Sequence, residues 1–68
     1  MKTKTYFAFR IDVWDGDGNN IIEHLAGLDD HMMAMAAYWA AVAAKPNEKI
    51  TLRQGTRVVT KNWTDEAG

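Results

Sequence analysis

The 68-residue chain contains no cysteine and no serine. The first absence removes disulfides, cysteine-ligated zinc and thiol catalysis, and the second removes the serine nucleophile. The expectation is therefore a protein that is not an enzyme. Excess charge of one sign is also lacking, since eight Lys and Arg against nine Asp and Glu give a net charge of -1. A general basic surface for nucleic acid is not implied by that total. No apolar run approaches the ~20 residues that a bilayer-spanning helix needs. Only one proline is present, Pro46, so the chain has a single fixed helix stop. At this length a chain buries only about 60% of its unfolded surface, which fits one small domain over residues 1–68 with little stability to spare.

What is present begins with an alternation. Phe7, Phe9, Ile11 and Val13 fall on one side, and Tyr6, Ala8, Arg10, Asp12 and Trp14 on the other. A period of two, rich in aromatic and β-branched side chains, predicts a half-buried strand from Lys4 to Trp14 with its Phe, Ile and Val side inward. The next six residues, Asp15 to Asn20, are all turn formers and predict a reversal.

Residues 20–44 admit two architectures. Ile21, Leu25, Leu28, Met32, Met35, Trp39 and Val42 recur every three or four residues, as in one long helix, which gives a βαββ chain with residues 20–28 helical. Against it, Gly27 costs ~1 kcal/mol within a helix. Asp29 and Asp30 also stand where an N-cap and a first-turn acid would stand. The preferred reading is a second strand, Asn20 to Ala26, followed by a helix from Asp30 to Ala44. After Pro46, Lys49 to Gln54 and Thr56 to Trp63 form two β-branched runs around Gln54-Gly55, the pattern of a tight hairpin in which Val58 and Val59 compete for the core face. The predicted fold is α+β, ββαββ: a small antiparallel sheet of three or four strands with one helix packed on one face.

Met32 to Ala44 contains no charge. Met32, Met35, Ala36, Trp39, Val42 and Ala43 form the stripe expected to cover the sheet. Met33, Ala37, Tyr38 and Ala41 then fall on the outer side and are the expected self-association face of a homodimer.

Charge is segregated along the chain. Residues 11–44 hold six acids and no Lys or Arg, while five of the eight bases follow residue 44. The acids Asp12, Asp15 and Asp17 suggest a patch that steers toward a basic partner. Asp15, Asp17 and Asn19 match the first three ligand positions of a calcium-binding EF-hand loop, but Asn20 replaces its glycine and Ala26 its bidentate glutamate. His24 and His31 lack the spacing of a metal or catalytic pair. No metal, cofactor or catalytic residue is expected. On the outer side of the sheet, Tyr6, Arg10 and Trp14 would adjoin Lys49, Thr51 and Arg53, interleaving aromatics with bases as single-stranded nucleic-acid readers do. Asp12 interrupts that row.

Three stretches, YFAFRIDVWDGDG, DDHMMAMAAYWAAV and ITLRQGTRVVTKNW, give the chain a size and layout that resemble the small phage- or prophage-borne anti-CRISPR proteins, most nearly the type I-C inhibitors. The resemblance implies a protein-binding inhibitor in the bacterial host cytoplasm. It would occupy a subunit of the crRNA-guided surveillance complex (Cascade), its repeated backbone protein, and block target DNA. Asp15, Asp17, Asp12, Arg10, Tyr6 and Trp14 are the candidate partner contacts, and neither stable nucleic-acid binding nor a membrane is expected on that reading. The alternatives are a single-stranded nucleic-acid-binding module using the aromatic and basic sheet face, and a homodimeric accessory protein of a mobile element.

Overall fold

The computed structural model of the chain describes residues 7–64. Its order is β1 (Phe9–Trp14), β2 (Ile21–Leu28), α1 (His31–Ala44), β3 (Lys49–Gln54) and β4 (Arg57–Lys61). The strands form one antiparallel sheet in the order β2-β1-β3-β4 with α1 packed against it, an α+β fold. The ββαββ reading is the one observed, with Gly27 inside β2. Its lack of a Cβ is needed there, because the ring of Phe7 lies directly against it and a Cβ would collide with that ring. Phe7 was expected inward beside Phe9. It precedes β1, rests on Gly27 and stays exposed, so the alternation of the core face begins at Phe9.

Both hairpins follow from their turn residues. Between β1 and β2, the Asp15 N–H donates to the Asn20 carbonyl at 2.8 Å, and Gly18 takes a φ of 73° that its missing side chain permits. Between β3 and β4, Gln54 faces Arg57 across a two-residue loop. Gly55 there has a φ of 62°, the requirement at the first loop position of a II′ hairpin. The partners of Leu52 and Arg53 are Thr60 and Val58, so Val59 is the extra residue of a bulge. It packs against the core while Val58 faces solvent.

Helix α1 begins with a side-chain cap. Asp30 is extended, and its Oδ1 accepts from the Met33 N–H at 2.9 Å. Asp30 is thus the N-cap and not a first-turn acid, while Asp29 lies outside the helix and accepts from the Ala8 N–H at 3.0 Å. Replacing Asp30 with Ala is expected to cost ~1 kcal/mol. A thermal melt should show this as a fall of ~5 °C, with Asp30→Ser retaining most of it. At the far end the Lys45 N–H returns to the Ala41 carbonyl at 2.8 Å, after which Pro46 stops the helix.

The core is one-sided. Phe9, Ile11 and Val13 of β1 meet Ile50 and Leu52 of β3 beneath Ala34 and Tyr38 of α1. The expected helix stripe is therefore displaced. Tyr38, 1% exposed, is the largest fully buried side chain, and Ala37 and Ala41 pack beside it. Met32, Ala36, Trp39 and Ala43 of the expected stripe point to solvent, and only Met35 and Val42 reach the core's edge. Of the expected self-association residues Met33 alone is outside. The tyrosine hydroxyl can be buried there because it shares a hydrogen bond with the Thr60 side chain of β4.

Candidate functional site

The helix covers only one side of the sheet, so the other must satisfy itself with its own side chains. On β1 this open side presents Arg10, Asp12 and Trp14. In register across β3 stand Arg53, Thr51 and Lys49. On β2, the shift between Ile11 and Asp12 makes Leu25 an extra residue and brings His24 opposite Asp12. Lys61 of β4 continues the row opposite Thr51.

Asp12 is the hub. Its side chain is 0% exposed although it stands on the solvent side, because the long side chains around it close over the carboxylate. Arg53 Nη2 donates to its Oδ2 at 3.1 Å and Arg10 Nη2 to its Oδ1 at 3.4 Å. His24 Nδ1 lies 2.9 Å from Oδ1. A carboxylate offers only acceptors, so the Nδ1 proton belongs in that contact and Nε2 is left as the ring's remaining polar atom. Arg10 and Arg53 face each other directly, a repulsive arrangement without the anion between them. Their Nε atoms are buried without a hydrogen-bond partner, so both guanidiniums work through their outer nitrogens.

The indoles are fixed as well. Trp14 Nε1 donates to Thr51 Oγ1 at 2.8 Å, and the Arg53 guanidinium lies 5.5 Å from the Trp14 ring centre. Further along, Lys49 and Lys61 place their ammonium groups 5.0 and 5.1 Å from the ring centre of Trp63, which also borders Gly18. Stacked cations of this kind hold an aromatic surface and a positive charge in one place.

This arrangement sorts the predicted residues. Arg10 and Trp14 come together with Lys49, Thr51 and Arg53 as the register required. Asp12 is corrected from a contact residue to a buried hub, since no partner can touch a carboxylate with no exposed surface. Asp15 and Asp17 stay on the adjoining turn. Asp15 braces that turn, accepting from Asn20 Nδ2 and the Asn19 N–H, each at 3.0 Å. The Asn20 hydrogen bond, with the backbone ones, holds its carboxyl below the usual carboxylate range. Tyr6 lies outside the described residues. His24, Lys61 and Trp63 are members that alternation alone did not reveal. For His24 the signal is hidden in the bulge.

The electrostatic outcome is a polarity that the net charge conceals. Among the described residues, Arg10, Lys49, Arg53 and Lys61 share the open face of the strands with one acid, which is buried. Glu23 instead approaches Lys45 at the end of α1, 4.0 Å away, and Asp29 and Asp30 stand at the helix start. Among the described residues no group of three or more His, Asp or Glu could hold a metal ion, and no helix is long and apolar enough to cross a membrane. No pocket indents the described surface, so a ligand would lie across the face. In comparisons with protein-family models, curated proteins and solved structures, nothing matches this chain.

Proposed function

We propose that the chain binds single-stranded nucleic acid across the open face of its sheet. The observation that carries this reading is the burial of Asp12. The one acid that interrupts the row of bases and aromatics is fully covered by Arg10 and Arg53, so a strand lying on the face meets Arg10, Arg53, Lys49 and Lys61 with Trp14 and Trp63 between them. Bases would stack on the indoles at ~1–3 kcal/mol each, and phosphates would take the cations. The proposal departs from the expectation of no stable nucleic-acid binding, which belonged to the inhibitor reading.

Fluorescence anisotropy with a short labelled single-stranded DNA and its RNA counterpart tests it. Log affinity should fall with log salt by ~0.7 per phosphate contacted. Replacing Lys49 and Lys61 together with Gln should weaken binding and lower that slope by ~1.4, with the circular dichroism unchanged. An absence of binding at ~100 μM protein in low salt would reject the proposal.

A second reading keeps the function the resemblance implies: a non-enzymatic inhibitor in the bacterial cytoplasm that binds a type I CRISPR–Cas surveillance complex. What favours it is the turn beside Trp14, where Asp15 and Asp17 add negative charge to a surface already carrying arginine and tryptophan, residue types that dominate protein interfaces. Affinity capture from cells carrying such a system, returning its subunits in stoichiometric amount and losing them with Asp17→Lys, would establish this reading.

A further inference from the structure

We propose that a second copy of the chain docks on the flank of α1 formed by Met32, Met35, Trp39 and Val42, with the two helices antiparallel. The inference concerns the opposite side of the molecule from the proposed nucleic-acid face and does not depend on it. These four residues repeat at intervals of three, four and three, the spacing of a helix–helix seam. In this fold they are not used as one. Tyr38 and Ala34 supply the contact with the sheet, so the seam is turned about one residue's rotation away from it. Met32 is left 80% exposed and Trp39 58% exposed, while Met35 and Val42 reach only the edge of the core. An indole and a thioether on the solvent side of an uncharged helix are the surface that a partner covers.

The chemistry selects the occupant. A helix that lies on a membrane surface carries Lys and Arg beside its apolar stripe, whereas α1 has none from His31 to Ala44 and is preceded by two aspartates. Nucleic acid would find no cation there. A second copy fits on both counts. Two uncharged flanks meet without repulsion, and the antiparallel arrangement brings Asp29 and Asp30 at the start of one helix toward Lys45 at the end of the other. The parallel arrangement would place like charges together.

Area sets the strength. A helix of this length runs ~21 Å, and a patch of ~300–600 Å² per copy gives at most ~1,200 Å² in total, the range of weak, reversible association. The dimer is therefore a weak, reversible one and turns its two open sheet faces outward.

Sedimentation equilibrium of the full chain from ~10 μM to ~1 mM reads this directly. The average mass should climb from 7.7 kDa toward twice that value. Trp39→Glu should hold it at 7.7 kDa with an unchanged circular dichroism spectrum, because the side chain contributes little to the monomer's core. The lack of native cysteine permits a test of orientation. Met32→Cys mixed with Ala43→Cys should give the mixed disulfide several-fold faster than either variant couples to itself. A wild-type mass that stays monomeric to the highest concentration, a dimer indifferent to Trp39→Glu, or preferred self-coupling of Met32→Cys would each overturn the proposal.

Discussion

Tyr38→Ala is expected to remove about a third or more of the chain's stability at 25 °C. Removing a fully buried aromatic ring costs ~3–5 kcal/mol through lost transfer energy and the cavity left behind. A domain of this size holds only ~3–10 kcal/mol in all. The site offers little collapse, since the ring bridges α1 to the Ile50 and Leu52 floor and reaches Thr60 on β4, the strand that the helix does not itself cover. Urea unfolding followed by circular dichroism should show the midpoint lowered in the same proportion. Tyr38→Phe separates the hydroxyl from the ring, and its expected loss is ~1 kcal/mol, that of one hydrogen bond. The phenol also predicts a pH dependence. Burial raises its pKa above the ordinary tyrosine value, with the Thr60 hydrogen bond opposing. Because the unfolded chain then gives up the proton more readily than the folded one, this group's contribution is complete below the ordinary tyrosine pKa. It is lost as pH rises from there through the raised folded value, and Tyr38→Phe should lack that part of the alkaline decline.

The same residue shows where reading the sequence succeeds and where it fails. Strand β1 was legible because apolar and polar residues alternate, β3 and β4 because two β-branched runs flank Gln54-Gly55, and β2 because Gly27 and the Asp29-Asp30 pair argue against a continuous helix. The phase of α1 was not legible. Phase is read from where polar residues fall, and Met32 to Ala44 has no charge to mark the outer side, so a regular Met, Met, Trp, Val seam outranked a lone tyrosine. The structure prefers Ala34 and Tyr38, which together let the helix approach β1 and β3 closely while the hydroxyl finds Thr60. At the candidate site, the adjacency of Arg10 and Trp14 to Lys49, Thr51 and Arg53 followed from antiparallel register alone. Alternation assigned Asp12 correctly to the open side and wrongly to solvent, because period says which way a side chain points and not what closes over it. His24 was out of reach for another reason. The two extra residues of β2, Leu25 and Ile22, break the simple alternation that would have paired it.

The second large effect is expected at that hub. Asp12→Asn keeps the volume of the side chain and removes its charge, leaving Arg10 and Arg53 opposed across the strands with no anion between them. An amide oxygen can still accept from one guanidinium, but its NH2 then faces the donors of the other arginine or of His24. Breaking a fully buried ion pair costs ~3–5 kcal/mol. Both arginines keep some exposure and can rehydrate, so the expected loss is smaller, ~2 kcal/mol, with a fall of ~8–16 °C in a thermal melt. Binding should move the other way. The open face gains one unit of positive charge and a guanidinium is freed for phosphate, so affinity for single-stranded DNA at low salt should rise several-fold and the salt slope steepen by ~0.7. Opposite signs for stability and affinity distinguish a carboxylate that holds the face together from one that takes part in binding. If both fell together at a temperature where the variant remains folded, Asp12 would be acting by positioning the arginines, and Arg53→Lys, which keeps the charge but loses the planar fork, should then weaken binding as much.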